Sequence, residues 1–375
     1  MKPMPTDVSK TTMPPERSAP APAAPAPSAP TPKTLSVIIP SYNMETYLPR
    51  CVSSLLALDD TSDLEILIVD DGSKDGTLAL ARALEATYPG IIRAIHQENK
   101  GHGGAVNTGV ENATGMYVKV VDADDWLGTK ALEQVMATLR DQAAGCLSGR
   151  IPIDMLVTNY IYDKQGKRHK HTVSYRRPLP DGRVIGWDEV GKWNLNQYLL
   201  MHALIFRTQV LRDSRLRLPE HTFYVDFIYA YQPLPWVRTF MYLDVDLYHY
   251  FIGRDGQSVQ TDVMVRRTDQ LLRVNRAMVE ATPEPDAVSP GVYRYMLHFL
   301  SINCTVTSVF LILSRDRTNY AAQRRLFADI EAHSARVGRD VRRRAMCRAI
   351  NLPGKTGRAL VRFGYRVAEA TVGFN

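Results

Sequence analysis

From Thr34 onward, short apolar runs alternate with segments of helical periodicity, and each run stops at a polar or acidic turn. Leu35–Ile39 ends at Pro40-Ser-Tyr-Asn43, after which Leu48, Cys51, Val52 and Leu55 recur at helical spacing. Leu64–Val69 ends at Asp70-Asp71-Gly72, and Asp75 is placed to cap a helix that carries Leu80 and Leu84. Ile91–Ile95 leads into a glycine-rich stretch at 99–109. Met116–Val121 stops at Asp122-Ala-Asp124-Asp125, before a helix marked by Leu132, Val135, Met136 and Leu139. This order predicts a parallel, doubly wound α/β sheet. Ligands of such sheets bind beyond the carboxyl ends of the strands, where these turns fall.

The second half is less regular. Met155–Ile161, 199–206 and 241–251 read as further strands, Asp163–Arg168 as a polar hairpin turn, and 263–335 as mainly helical. Met296–Leu313 is 18 residues without a charge. It falls short of the ~20 mostly apolar residues of a membrane span and contains His298, Asn303 and Thr307, so a buried helix is expected.

Ten of the 23 prolines lie in residues 1–33, an Ala/Pro-rich segment that reads as a disordered leader and lacks the apolar stretch of a signal peptide. The net charge of +7 is concentrated in 336–375, which carries +8. The remainder sums to −1, which excludes a basic nucleic-acid binder as the body of the protein. In the tail, Arg358, Arg362 and Arg366 alternate with Leu360, Val361, Phe363 and Val367, a basic amphipathic pattern expected at an anionic membrane surface. The four cysteines are far apart, which fits a reducing, cytoplasmic compartment and no disulfide framework.

Candidate chemistry sits at the strand ends. Three carboxylates in four residues, Asp122, Asp124 and Asp125, repel one another unless a cation such as Mn²⁺ or Mg²⁺ lies among them; the alternative is a solvated turn with a helix cap. Asp71 can accept hydrogen bonds from a base or ribose, and Tyr42 can stack on a base or serve as a half-buried strand-end residue. Gly101-His-Gly-Gly104 and Gly109 fit neither a dinucleotide-binding fingerprint nor a P-loop. They read as flexible backbone that a ligand approaches closely, with a helix opening near Ala105–Val110 and His102 as a loop residue.

Pro40–Asn43, Val69–Thr77, Asn99–Gly109 and Asp122–Asp125 occur in order within about ninety residues. This set resembles the nucleotide-sugar-binding half of family-2 glycosyltransferases of the GT-A fold, closely over 34–130 and loosely over 131–260. The resemblance implies that Tyr42 and Asp71 contact uracil, with Pro40 and Asn43 in the same pocket wall. It implies Asp122 toward the nucleotide, Asp124 toward the metal, and Asp125 as support for the following helix. Asn107 also falls on the donor side, although Val106 stands where the family commonly has an arginine.

An inverting enzyme needs a base on the face opposite the leaving diphosphate. The family's Glu-Asp pair corresponds to Val225-Asp226, so the resemblance makes Asp226 the base, with Glu220 in reserve. Arg254 resembles a loop arginine that holds the departing diphosphate, and His202 borders the expected acceptor pocket. The expected organisation is a leader (1–33), a nucleotide-sugar half (34–150), an acceptor half (151–262), a helical region (263–335) and a basic tail (336–375). The implied activity is metal-dependent, non-processive transfer from a UDP-sugar to a glycan or lipid-linked acceptor at the inner face of the plasma membrane. A sugar nucleotidyltransferase and a non-catalytic nucleotide-binding scaffold at the membrane are the alternatives.

Overall fold

The computed structural model describes residues 32–164, 170–252 and 261–372. The first apolar runs become β1 (Leu35–Ser41), β2 (Leu64–Asp70), β3 (Ile92–His96) and β4 (Tyr117–Val120), joined through α1 (Leu48–Leu56), α2 (Thr77–Thr87) and α3 (Gly101–Asn112). All residues of β1, β2 and β4 are buried, as expected of parallel strands covered on both faces. Leu48, Cys51, Val52 and Leu55 form the buried stripe of α1, each worth about 1.5–3 kcal/mol when fully covered.

A short β5 (Trp126–Leu127) and α4 (Thr129–Leu147) follow, and then β6 (Met155–Lys164), β7 (His171–Val173), β8 (Val184–Ile185) and β9 (Leu204–Arg207). After α5 (Thr208–Asp213) and α6 (Asp226–Tyr231), the long β10 (Phe240–Ile252) completes a ten-stranded sheet of order β3-β2-β1-β4-β9-β6-β10-β5, with β7 beside β6 and β8 beside β10. The sheet is mixed: β1–β4 pair in parallel and β6 with β10 in parallel, while β9 runs antiparallel to both β4 and β6. The expected nucleotide and acceptor halves therefore share one sheet and one core. The expected strand at 199–206 begins only at Leu204, because Met201–Ala203 forms a 3₁₀ turn. Residues 165–169 of the expected hairpin lie outside the described residues, although its flanks, β6 and β7, pair antiparallel.

The C-terminal region is a helical bundle of α7 (Thr261–Arg266), α8 (Thr268–Glu280), α9 (Pro290–Leu313), α10 (Arg317–His333), α11 (Ala335–Arg343), α12 (Ala345–Ile350) and α13 (Gly354–Val372). The uncharged stretch forms most of α9, which has the length and hydropathy of a membrane span but is largely covered by α8 and α10–α13. The basic tail is thus not a detached segment. Val337, Val341, Cys347 and Ile350 bury the apolar side of α11 and α12 in the bundle, which turns their arginines outward.

One buried charge stands out. Lys119, in the middle of β4, is fully buried, and its Nζ donates to the His202 carbonyl at 2.8 Å. Burial pushes its pKa down to about 7, whereas an unfolded lysine titrates near 10.4. Between these values the unfolded chain binds more protons, so stability rises as pH climbs from about 7 to about 10. We expect Lys119→Met to raise the unfolding free energy by up to about 4 kcal/mol at neutral pH and by little near pH ~10, measured by urea unfolding at both.

Candidate active site

Parallel pairing brings the ends of β1, β2 and β4 to one edge, and the antiparallel β9 delivers the residues that precede it to the same edge. His202 thereby lies beside the acidic triplet that follows β4. One ligand atom from each of Asp122, Asp125 and His202 lies within 4.8 Å of the others.

Asp125 is fully buried. It accepts hydrogen bonds from the Tyr248 hydroxyl at 2.5 Å and the Phe251 N–H at 2.8 Å, so it ties the triplet to β10 rather than only supporting α4. Burial, followed by Asp124 and Asp122, pushes its carboxyl well above the usual range. Burial and the neighbouring carboxylates both disfavour its charged form.

Asp124 is buried and raises the pKa of both Asp125 and His102, but it is not one of the three groups with clustered ligand atoms. Its carbonyl accepts from Arg50 Nη2 at 2.6 Å, and the Arg50 guanidinium lies 3.9 Å over the Trp126 ring. His202 is 7% exposed, stacked on Tyr248, and its Nδ1 has no partner. Burial pushes its pKa down to about 4, which leaves a neutral imidazole with a lone pair to offer. Carboxylate oxygens beside a neutral imidazole fit a divalent cation, and the mixed N/O set suits Mn²⁺ better than Mg²⁺.

The glycine-rich stretch departs from expectation. The helix begins at Gly101, four residues earlier than expected, and Gly103 and Gly109 permit close packing. A Cβ on Gly103 would meet the Pro219 carbonyl at 2.7 Å, and one on Gly109 would meet Ile38 at 2.3 Å. Gly101 has φ +76° and faces His221. His102 therefore stands in the first turn of α3, its Nε2 2.8 Å from Asp122 Oδ1. Although burial opposes it, Asp122, Asp226 and Asp124 together raise its pKa.

Asn107 faces the protein interior. Its amide donates to the Leu218 carbonyl at 2.9 Å and accepts the Leu218 N–H at 2.9 Å. It fastens α3 to the loop that carries Asp226. His221 N–H donates to the Lys100 carbonyl at 2.8 Å, Phe223 N–H to Gln270 Oε1 at 2.8 Å, and Arg273 to Thr222 Oγ1 at 2.9 Å. The loop is strained, with His221 at φ +47° and Tyr224 at φ +64°, conformations that cost about 1–3 kcal/mol each and cluster at functional sites. We expect Asn107→Ala to destabilise the fold by about 2 kcal/mol through the two orphaned Leu218 groups. Thermal unfolding would measure this.

Asp226 opens α6 and is half-buried. Desolvation raises its pKa, the His102 imidazole opposes this, and Asp122 adds to it, for a result of about 6. Glu220 is exposed, and Arg254 lies outside the described residues.

On the nucleotide side, Tyr42 is 42% exposed beyond the end of β1, while Pro40 is buried within the strand. Asn43 has φ +55°, and its Oδ1 accepts the Lys74 N–H, joining the turns after β1 and β2. Asp71 is buried and accepts from Lys100 N–H and Gln97 Nε2, which shapes the turn before α3.

This architecture is the GT-A glycosyltransferase fold. S. aureus TarS 1–349 in complex with UDP-GlcNAc matches with a TM-score of 0.61 over 89% of this chain and 92% of that one, at 19% identity. Residues 36–191 match the sequence model of glycosyl transferase family 2. Relatives of the chain include the putative glycosyltransferase EpsH of Bacillus subtilis (strain 168), 29% identical over 58% of this chain and 60% of that protein. The chondroitin synthase of Escherichia coli is 39% identical over 35% and 18%, and the glycosyltransferase GlyA of Streptococcus pneumoniae serotype 4 is 34% identical over 70% and 37%. The chain spans less than two thirds of the length of each of these relatives.

Proposed function

We propose that this chain is an inverting, non-processive glycosyltransferase that moves a hexosyl or N-acetylhexosaminyl group from a UDP-sugar to a hydroxyl of a glycan or lipid-linked precursor. It would work on the cytoplasmic side of the membrane. The observation that carries the reading is the carboxylate of Asp226, pushed up to about 6 and held by a strained, clamped loop across from the acidic triplet. Such a group is ionised at neutral pH yet basic enough to take a proton. The UDP and UDP-GlcNAc complexes of TarS, which shares the fold, support the choice of nucleotide.

In this reading Tyr42 stacks on uracil and Asp71 shapes the turn against which the base sits. Asp122 faces the ribose, its carboxylate oriented by His102. His202, clustered with Asp122 and Asp125, and Asp124 from the same triplet would hold a divalent cation, Mn²⁺ in preference to Mg²⁺. Once bound, that ion neutralises the charge that develops on the diphosphate. Asp226 takes the acceptor's hydroxyl proton as the oxygen attacks the anomeric carbon and the carbon–diphosphate bond breaks. The loop packed on α3 limits water at that carbon and so limits hydrolysis.

A panel of UDP-sugars incubated with the protein and Mn²⁺, read as UDP release, tests the assignment. We expect one donor to be consumed and chelation to stop the reaction. If UDP binds and no donor is consumed under any condition, the scaffold reading replaces this one.

A further inference from the structure

Helix α13 docks on the bundle with one side and turns a different chemistry outward. On the docked side, Tyr365 meets the Phe310 ring edge-on at 5.8 Å and shares a hydrogen bond with Thr261, while Arg358 lies 4.7 Å over the Tyr320 ring. Arg358 is therefore engaged in the bundle and is not part of an outward basic row. The outward side carries Leu360 at 57% and Phe363 at 65% exposure, with Leu352 exposed just before the helix. Lys355 and Arg366 are exposed between this apolar strip and the docked side, whereas Arg362 is half-buried in line with Glu369, which bonds Thr261.

We propose that this face of α13 docks on an anionic lipid bilayer, with the helix lying in the plane of the head groups. Leu360 and Phe363 would enter the acyl boundary while Lys355 and Arg366 meet lipid phosphates. Two observations favour lipid over a second copy of the chain. The exposed apolar side chains are too few to build the ~800 Å² per partner of a stable protein interface. In addition, α13 carries Lys355, Arg358, Arg362 and Arg366 against Glu369, so two copies of this helix repel each other and an anionic membrane attracts it. The inference gives the proposed inner-face location a surface, but it stands whether or not the chain transfers sugar.

The test is co-sedimentation of the full chain with two kinds of vesicle. One is pure phosphatidylcholine; the other mixes one part phosphatidylglycerol with two parts phosphatidylcholine. The wild type should partition roughly tenfold more strongly onto the mixed vesicles, with the preference fading as salt rises. Leu360→Ser with Phe363→Ser should lose roughly tenfold of that binding while melting temperature and UDP release from a soluble assay stay unchanged. The proposal is overturned if the wild type binds neither vesicle or if the double variant binds as well as wild type. It is also overturned if light scattering shows a dimer that the double variant dissolves.

Discussion

Replacing Asp226 by Asn should lower kcat for sugar transfer on the order of 10³-fold, the loss typical when a positioned base is removed, and leave UDP affinity within about twofold of wild type. Asn keeps the shape and the half-buried position at the start of α6 but cannot accept the proton. The same assignment fixes a pH profile. Asp226 titrates at about 6, and only the ionised form is a base. For the wild type, kcat/KM for the acceptor should therefore fall tenfold per unit below about pH 6 and be flat above it until another group intervenes. His102 opposes the desolvation of Asp226, so His102→Ala should move that limb to higher pH. Initial rates of UDP release across pH, for wild type and both variants, check this.

The second large effect concerns the cation. Asp124→Ala and His202→Ala should each weaken Mn²⁺ binding by more than about tenfold, read from the free-ion signal in electron paramagnetic resonance. His202 is the more informative of the two. One of its ring nitrogens lies in the cluster with Asp122 and Asp125, and the imidazole is held neutral by burial. An unchanged Mn²⁺ affinity in His202→Ala would leave that nitrogen without a function and return His202 to a stacked core residue beside Tyr248.

Much of this site was legible because strand ends announce themselves. The stops after β2 and β4 fall within a residue of where the sequence puts them, whereas β1 runs on through Pro40 to Ser41. The buried α9 was legible from His298, Asn303 and Thr307 within the uncharged stretch 296–313. Two features were hidden by local propensity. Glycine at 101, 103 and 104 argues against a helix, and only the fold shows that Gly101 has a positive φ beside His221 and that Gly103 packs on Pro219 and Leu218. With the helix start misplaced, His102 looked like a loop residue and Asn107 like a ligand contact. In the fold the first reaches Asp122, and the second holds Leu218, 111 positions away. Arg50 and Tyr248 escaped notice for the same reason: each meets the triplet only through long-range packing.

Calorimetric titration with UDP, with and without Mn²⁺, tests the central claim most directly, because every step of the proposed reaction begins with a nucleotide seated between Tyr42 and the acidic triplet. The account predicts clear binding in the presence of Mn²⁺ and at least tenfold weaker binding without it, an effect that Asp124→Ala abolishes. If no nucleoside diphosphate binds under either condition, the edge of the sheet is not a donor site and the glycosyltransferase reading falls with it.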